Sequence, residues 1–582
     1  MIRVVALSKA AFAGALGALV WEVALRSAIL MAVPTFDIVQ QLGTLAFPHA
    51  SATAWWPIGM AAHALVGVCW AVFYAYFFWA RVHWRPPLQG LAFSAVPATL
   101  ALLIVAPQLS LISLEAEVVQ VTPAMLIPNL TGLQVGGLLV GHAIFGLVVG
   151  AVYTRPVGYP LDRLPRIHLA SRRQRPAGER RHDGGFIFAT GIECSYPTVE
   201  RGSWRRDEMY ETRHYGLWQR DFELSREIGI THLRYGPPTH LVFSAPGTYR
   251  WELLDEPMAE LEAHGPEPIV DLCHFGLPSW LGDFQNPDIA KALAEYAGAF
   301  AQRYSWVRFY TPVNEMYVCA RMSALDGVWN EQRSDEASFL AATFNLASAS
   351  VAMTDAILSS RPDAIFINSE SSEFYQPCCP DKEIVERAAL ENERRFLPLD
   401  LLYAHEVSAC ILDLLREHGR EVEYRRFLAR HVPRRSVLGV DYYEWNEKLI
   451  DRDGTPRALG ELFGWYVIAN QYWDRYGKTM MHTETNRIDA SDAQRWLWRQ
   501  WHNVQLLRDA GVPLIGFTWY SLTDQLDWGS ALRRVDGRVD PVGLFDLNRD
   551  PRPVGLSYRH LIDQHRGQPE FRDCAALKEL LD

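Results

Sequence analysis

The uneven distribution of charge along the chain constrains its fold more than any other feature. Of 56 Lys+Arg and 67 Asp+Glu in 582 residues, the first 154 hold only Arg3, Lys9, Arg26, Arg81, Arg85, Glu22, Asp37, Glu115 and Glu117. A nearly uncharged quarter is thus joined to a charged, aromatic-rich remainder. Within that quarter four apolar stretches, about 10–33, 56–80, 88–113 and 132–153, reach the roughly 20 residues that a helix needs to span a bilayer. The sequence predicts an all-α transmembrane domain over 1–154, a basic juxtamembrane linker over 155–184 and a soluble domain over 185–582. In the fourth stretch Gly132, Gly136, Gly137, Gly141, Gly146 and Gly150 are small enough to let helices approach closely. Glu22 and Arg26, four apart in the first, read either as a self-neutralising pair or as part of a functional pathway.

Orientation follows from the loops. Arg3 and Lys9, Arg81 and Arg85, and the arginines after Tyr153 fall on one side of a four-span bundle, while loops 34–55 and 114–131 lack Lys and Arg. The positive-inside rule makes the basic side cytoplasmic. The expected location is the cell (inner) membrane, multi-pass, with the soluble domain in the cytoplasm and the linker arginines near lipid headgroups. A net charge of −11 argues against nucleic acid as a partner. Eight cysteines without C-x-x-C spacing read as free thiols. No H-E-x-x-H and no Gly-rich phosphate loop appears, so neither metal nor cofactor is expected.

From Gly185 onward, short apolar runs ending in polar residues alternate with helical stretches. The runs are GFIFATGIE, THLRYG, PEPIVDLCHF, RFYTPVNE, AIFINSES, SVLGVDYY, KTMMHTETN and LIGFTWYSL. Eight strands alternating with helices predict an α/β fold, a parallel (β/α)8 TIM barrel. Its functional site is expected at the C-terminal strand ends. Those ends carry Glu193, Arg234, His274, Asn314, Glu315, Glu370, Asp441, Tyr443 and Glu484, with Trp280, Trp445, Trp519, Tyr520 and Trp528 nearby. Carboxylates beside aromatic faces suit a sugar, whose C–H faces stack on rings while its hydroxyls need polar partners. Two carboxylates at strand ends of one barrel can supply the acid/base and nucleophile of a retaining glycosidase.

Several of these segments resemble family 1 glycoside hydrolases, the β-glucosidase family of the retaining (β/α)8 clan. YTPVNEMYV looks like the family's Asn-Glu motif, and HTETN resembles its Thr-Glu-Asn-Gly nucleophile motif. LCHFGLPSWL is similar to its His-Trp-x-Leu-Pro segment, LGVDYY to its Gly-x-Asn-Tyr-Tyr strand, and TWYSLTDQLDW to its Trp-Ser-Leu-x-Asp-Asn-Phe-Glu-Trp stretch. The resemblance spans about 185–565 and excludes the apolar quarter. It implies Glu315 as acid/base and Glu484 as nucleophile, Arg234 paired with the nucleophile, Asn314 at the sugar 2-hydroxyl and Tyr443 touching the nucleophile. It further implies Glu193, His274, Asp527 and Trp528 as sugar contacts. The chain departs from the family at Glu193 (glutamine), Phe275 (tryptophan), Asp441 (asparagine), Tyr520 (tryptophan) and Asp527 (glutamate). The expected activity is that of a membrane-anchored retaining glycosidase or transglycosylase, exo-acting on a glycolipid or small glycoside. A non-catalytic glycan-sensing barrel and an endo-acting polysaccharide hydrolase are the alternatives. The sequence leaves oligomeric state open.

Overall fold

The computed structural model describes residues 7–33, 35–46, 51–78, 86–105, 132–153, 184–200 and 202–582, which fall into two units. The N-terminal unit contains α1 (Leu7–Leu30), α2 (Ile38–Ala46), α3 (Ala52–Phe73), α4 (Pro86–Leu100) and α5 (Gly132–Tyr153). Helical backbone continues from α3 to Phe78 and from α4 to Val105. Leu7–Leu30, Thr53–Phe78 and Gly132–Tyr153 are long and apolar enough to cross a membrane, while Pro87–Leu103 is shorter. The expected third span, 88–113, runs past the described residues at 105. The linker over 155–183, the loop 114–131 and Arg3, Arg81 and Arg85 also lie outside them. Helix α2 falls within 34–55, which the sequence predicts to be a loop.

Two of the glycines in α5 bring helices together. A Cβ on Gly146 would stand 2.3 Å from the Gly90 carbonyl oxygen of α4, and one on Gly141 would stand 2.2 Å from the Trp21 ring of α1. Among the described residues, a Cβ on Gly132 or Gly136 would meet nothing within 4 Å. Arg26 bonds both Glu22 and Asp37, the latter at 2.7 and 3.0 Å, so the Glu22–Arg26 pair is part of a triad that ties α1 to the start of α2.

The second unit is a closed barrel of eight parallel strands: β1 (Ile187–Glu193), β2 (His232–Gly236), β3 (Glu267–Asp271), β4 (Phe309–Thr311), β5 (Ile365–Ser371), β6 (Ser436–Asp441), β7 (Met480–His482) and β8 (Leu514–Trp519). All eight coincide with the apolar runs read from the sequence. Closure pairs Ile187 of β1 with Gly516 of β8. Both faces of every strand are buried, as a sheet sheathed in helices requires. Inside the barrel Ile187, Ala189, Ile269, Phe309, Ile365, Ile367, Val437, Met481 and Ile515 fill the lower part, closed by Leu577 and Leu580 of the C-terminal helix. His232, at the start of β2, packs edge-on against Phe309 of that plug, and the expected site residues lie toward the C-terminal strand ends.

Of the surrounding helices, α6 (Ile289–Arg303) and α7 (Glu336–Ser360) pack closely against each other. Helix α7 is as long and apolar as a membrane span, but most of its surface is buried within the barrel unit. A three-stranded sheet, Phe374–Pro377, Glu447–Ile450 and Pro456–Ala458, stands apart from the barrel, and residues of its last two strands line the site cavity.

Candidate active site

The upper barrel opens into a cavity of about 850 Å3. Its wall includes His274, Glu315, Tyr443, Glu484 and Trp528 among the expected site residues, together with Phe275, Trp329, Trp445 and Tyr520. Glu315 and Glu484, from the ends of β4 and β7, therefore face one space. Glu315 sits at φ +41°, a left-handed conformation that non-glycine residues seldom adopt. The turn is held by its own N–H, which donates to the Ser369 carbonyl of β5 at 3.0 Å.

Glu484 is fixed through both oxygens. Arg234 Nη1 donates to Oε1 at 2.6 Å and the Tyr443 hydroxyl donates to Oε2 at 2.6 Å. Tyr443 in turn stacks on Trp445, with ring centroids 4.9 Å apart and planes 6° apart. Arg234 is wholly buried on β2. Its second nitrogen donates to Asn314 Oδ1 at 2.8 Å and lies 3.0 Å from Glu193 and 3.7 Å from Asp271. Although burial opposes its charge, these acids raise the guanidinium well above its ordinary pKa. It is therefore a permanent cation in the floor.

The acids around it respond to burial differently. Burial pushes Glu315 well above the carboxylate range, and the nearby Asp441, Glu484 and Glu370 push it further. Glu193 and Asp271 are each pushed up to about 8 by burial, with Arg234 pulling the other way. Asp441 is also held well above its usual value by burial and by Glu484; its Oδ2 accepts from the Ser369 hydroxyl at 2.7 Å. Burial lowers the His274 pKa, and Nδ1 of this ring pairs with Asp271 at 2.8 Å.

The remaining expected residues stand behind the cavity wall. Glu193 and Asn314 are buried partners of Arg234, and Asp527 accepts from Arg206 at 3.0 Å. Glu370 accepts the backbone N–H groups of Tyr317 and Ser371, which makes it a local brace. Trp519 is buried with its Nε1 on the Val542 carbonyl, and Trp280 bonds Phe243; neither lines the cavity. The sequence reading missed Arg206 and Asp271. Asp271 could have been found, since it closes β3 three residues before His274. Arg206 lies in a short segment with no pattern to mark it. Among the described residues two groups of potential metal donors occur, Glu193/Asp271/His274 and Cys194/Asp207/His240. The first lies against Arg234, whose fixed positive charge opposes a cation there. In the second, Asp207 already accepts from Tyr210, Tyr215 and Cys194.

Comparison with known proteins places this geometry. Residues 203–444 match the family model described as Glycosyl hydrolase family 1. That span includes Arg234, His274, Asn314, Glu315 and Tyr443, while Glu193, Glu484, Asp527 and Trp528 lie outside it. A β-glucosidase A of Thermotoga maritima is 21% identical over 373 residues, 56% of this chain and 81% of that relative. A β-galactosidase of Sulfolobus acidocaldarius is 24% identical over 349 residues, 54% of this chain and 69% of its own length. Among solved structures, a Thermotoga maritima β-glucosidase in complex with deoxynojirimycin aligns with a TM-score of 0.54 at 17% identity, covering 65% of this chain and 98% of its own. At that identity the structural likeness speaks for the TIM-barrel fold.

Proposed function

We propose that the barrel, a β-glycosidase, cleaves terminal sugars with retention, using Glu484 as nucleophile and Glu315 as acid/base. The observation that carries this is the contrast between two carboxyls on one cavity wall. Glu484 has each oxygen held by a donor, one of them cationic, which favours the charged, nucleophilic form. Glu315 is buried among other acids with no cation bonded to it, which favours the protonated form that a leaving group needs. In the first step a Glu484 oxygen bonds to the anomeric carbon as the glycosidic C–O bond breaks, and Glu315 passes its proton to the departing oxygen. In the second, Glu315 takes a proton from water or another acceptor hydroxyl, which displaces Glu484 from the sugar. Tyr443 and Arg234 keep the nucleophile aimed throughout.

In this reading the N-terminal helices anchor the enzyme in the cell membrane with its barrel on the cytoplasmic side. Three apolar helices of spanning length and the one-sided distribution of basic residues support it. A barrel tethered at a bilayer favours a glycolipid or a small membrane-associated glycoside. The chemistry is tested with Glu484→Ala and Glu315→Ala on aryl glycosides. Glu484→Ala should abolish turnover, and azide or formate should restore some as a product of inverted configuration. Glu315→Ala should slow poor leaving groups by roughly 10²–10⁴-fold and activated ones far less, because only the former need protonation. A folded Glu484→Ala that retains wild-type turnover would end the assignment.

A further inference from the structure

The loop after β8 supplies part of the cavity wall, from Trp528 through Arg534. Its backbone is tied down at several points. Trp329 Nε1 donates to the Ala531 carbonyl at 2.9 Å, and the Gly529 N–H donates to Asp540 at 2.7 Å. Leu532 is fully buried, and Arg206 donates to the Arg534 carbonyl at 2.9 Å. The same buried Arg206 nitrogen bonds Asp527 at 3.0 Å, so one guanidinium fixes both the expected sugar-side acid and this loop. On that anchored backbone Arg533 and Arg534 expose their side chains while still lining the cavity.

These two arginines differ from the other cations of the wall. Arg321 bonds Glu391 at 2.6 Å and Asp326 at 3.2 Å, and Lys448 is paired with Glu373. Arg533 and Arg534 have no acidic partner among the described residues. Charge is therefore arranged by depth. The floor's one cation, Arg234, is already bonded to Glu484, and the mouth holds two unneutralised arginines. An anionic sugar ring would find no free cation in the floor. An anion on the departing group would meet the mouth. Ile488, Val542 and Ala458 add apolar surface to the wall.

We infer that the substrate's aglycone carries an anionic group, a phosphate or a carboxylate, recognised by Arg533 and Arg534. This deepens the glycosidase reading and rests on it. Arginine suits the role because its planar donors pair with either anion through two hydrogen bonds. Both side chains are solvent-exposed, so the effect expected is moderate and sensitive to salt.

The test uses the full chain in neutral detergent and two aryl β-glycosides alike except for a carboxylate or its methyl ester on the aryl ring. The wild type should prefer the carboxylate by roughly 3- to 10-fold in kcat/KM, as expected for a partly screened charge pair. The preference should fall toward one in 1 M salt and in the double variant Arg533→Gln/Arg534→Gln. A wild-type ratio at or below one, or a ratio the double variant leaves intact, overturns the inference while cleavage of both substrates keeps the glycosidase reading. Cleavage of neither substrate overturns that reading instead. Vesicles of phosphatidylcholine with and without phosphatidylserine separate the two sources of anion. Binding that needs phosphatidylserine and both arginines, with an aryl ratio near one, would assign the pair to bilayer headgroups and reject the aglycone role.

Discussion

Glu193 and Asp441 stand where the family resemblance places amides, and burial gives the substitution a physical meaning. A protonated carboxyl has nearly the shape of an amide and carries no charge. Burial pushes Glu193 up to about 8 and raises Asp441 as well, which favours the uncharged carboxyl at both positions. As pH rises through about 8, Glu193 and Asp271 begin to ionise and add negative charge around the nucleophile. The sign is therefore a loss of activity on the alkaline side, with kcat/KM falling more steeply than one proton requires. Glu193→Gln keeps the shape but cannot ionise. Its pH profile should fall less steeply, with activity at pH 7 within roughly threefold of wild type, a change smaller than one pKa unit's worth of free energy. A profile superimposable on wild type would show that Glu193 does not titrate there. Arg234→Met should cost far more, roughly 10²–10³-fold in kcat, since it removes a preorganised charge and leaves several buried acids without their cation. The sequence revealed Glu315 and Glu484 because each sits in a recognisable string at a strand end. It could not show that Glu193, Asn314 and Asp527 reach the cavity only through arginines, because those contacts join residues that are distant along the chain.

At the level of elements, the eight strands were readable because a strand buried on both faces leaves a short, continuous apolar run with a polar terminus. Helix α7 shows where such reading becomes ambiguous. Its twenty-five residues satisfy a membrane criterion and a barrel's outer core alike, and the packing against α6 separates the two. Helix α2 escaped notice for the opposite reason, since nine residues are too few for a periodic signal. The strands also differ in their tolerance of added bulk. A Cβ on Gly439 of β6 would lie 2.8 Å from the Ser369 Cα of β5 and 2.8 Å from the Thr483 side chain. The backbone on one side cannot yield, so strain passes to Thr483, the neighbour of Glu484. Gly439→Ala should destabilise the barrel by about 1–3 kcal/mol, as overpacking usually does. It should also lower kcat with little change in KM for a neutral aryl glycoside. Wild-type melting temperature and kcat together would show that β5, β6 and β7 can spread without disturbing the nucleophile.

For the whole molecule, the charge division that opens the sequence also sets the decisive test of its cellular arrangement. In the N-terminal helices Arg26 bonds Glu22 and Asp37, and their other described charge is Lys9, at the start of α1. The barrel unit has its own continuous hydrophobic core and a C-terminal helix that plugs its base. Residues 184–582 should therefore fold without the helices and unfold cooperatively. Persistent aggregation of that fragment would show that the barrel depends on the N-terminal unit. In the proposed four-span arrangement topology is set by charge, because the cost of translocating Lys and Arg next to a span fixes which loops stay inside. That arrangement would return the basic segment after Tyr153 to the side of Arg3 and Lys9. A reporter active only in the cytoplasm, fused after Asp582, should be active, and one that requires export should be silent. Fusions within 34–46, a segment without Lys or Arg, should give the opposite result. Export-dependent activity at the C-terminus would place the barrel outside the cytoplasmic face. The substrate would then have to be sought among glycosides of the opposite leaflet, with the cavity chemistry unchanged.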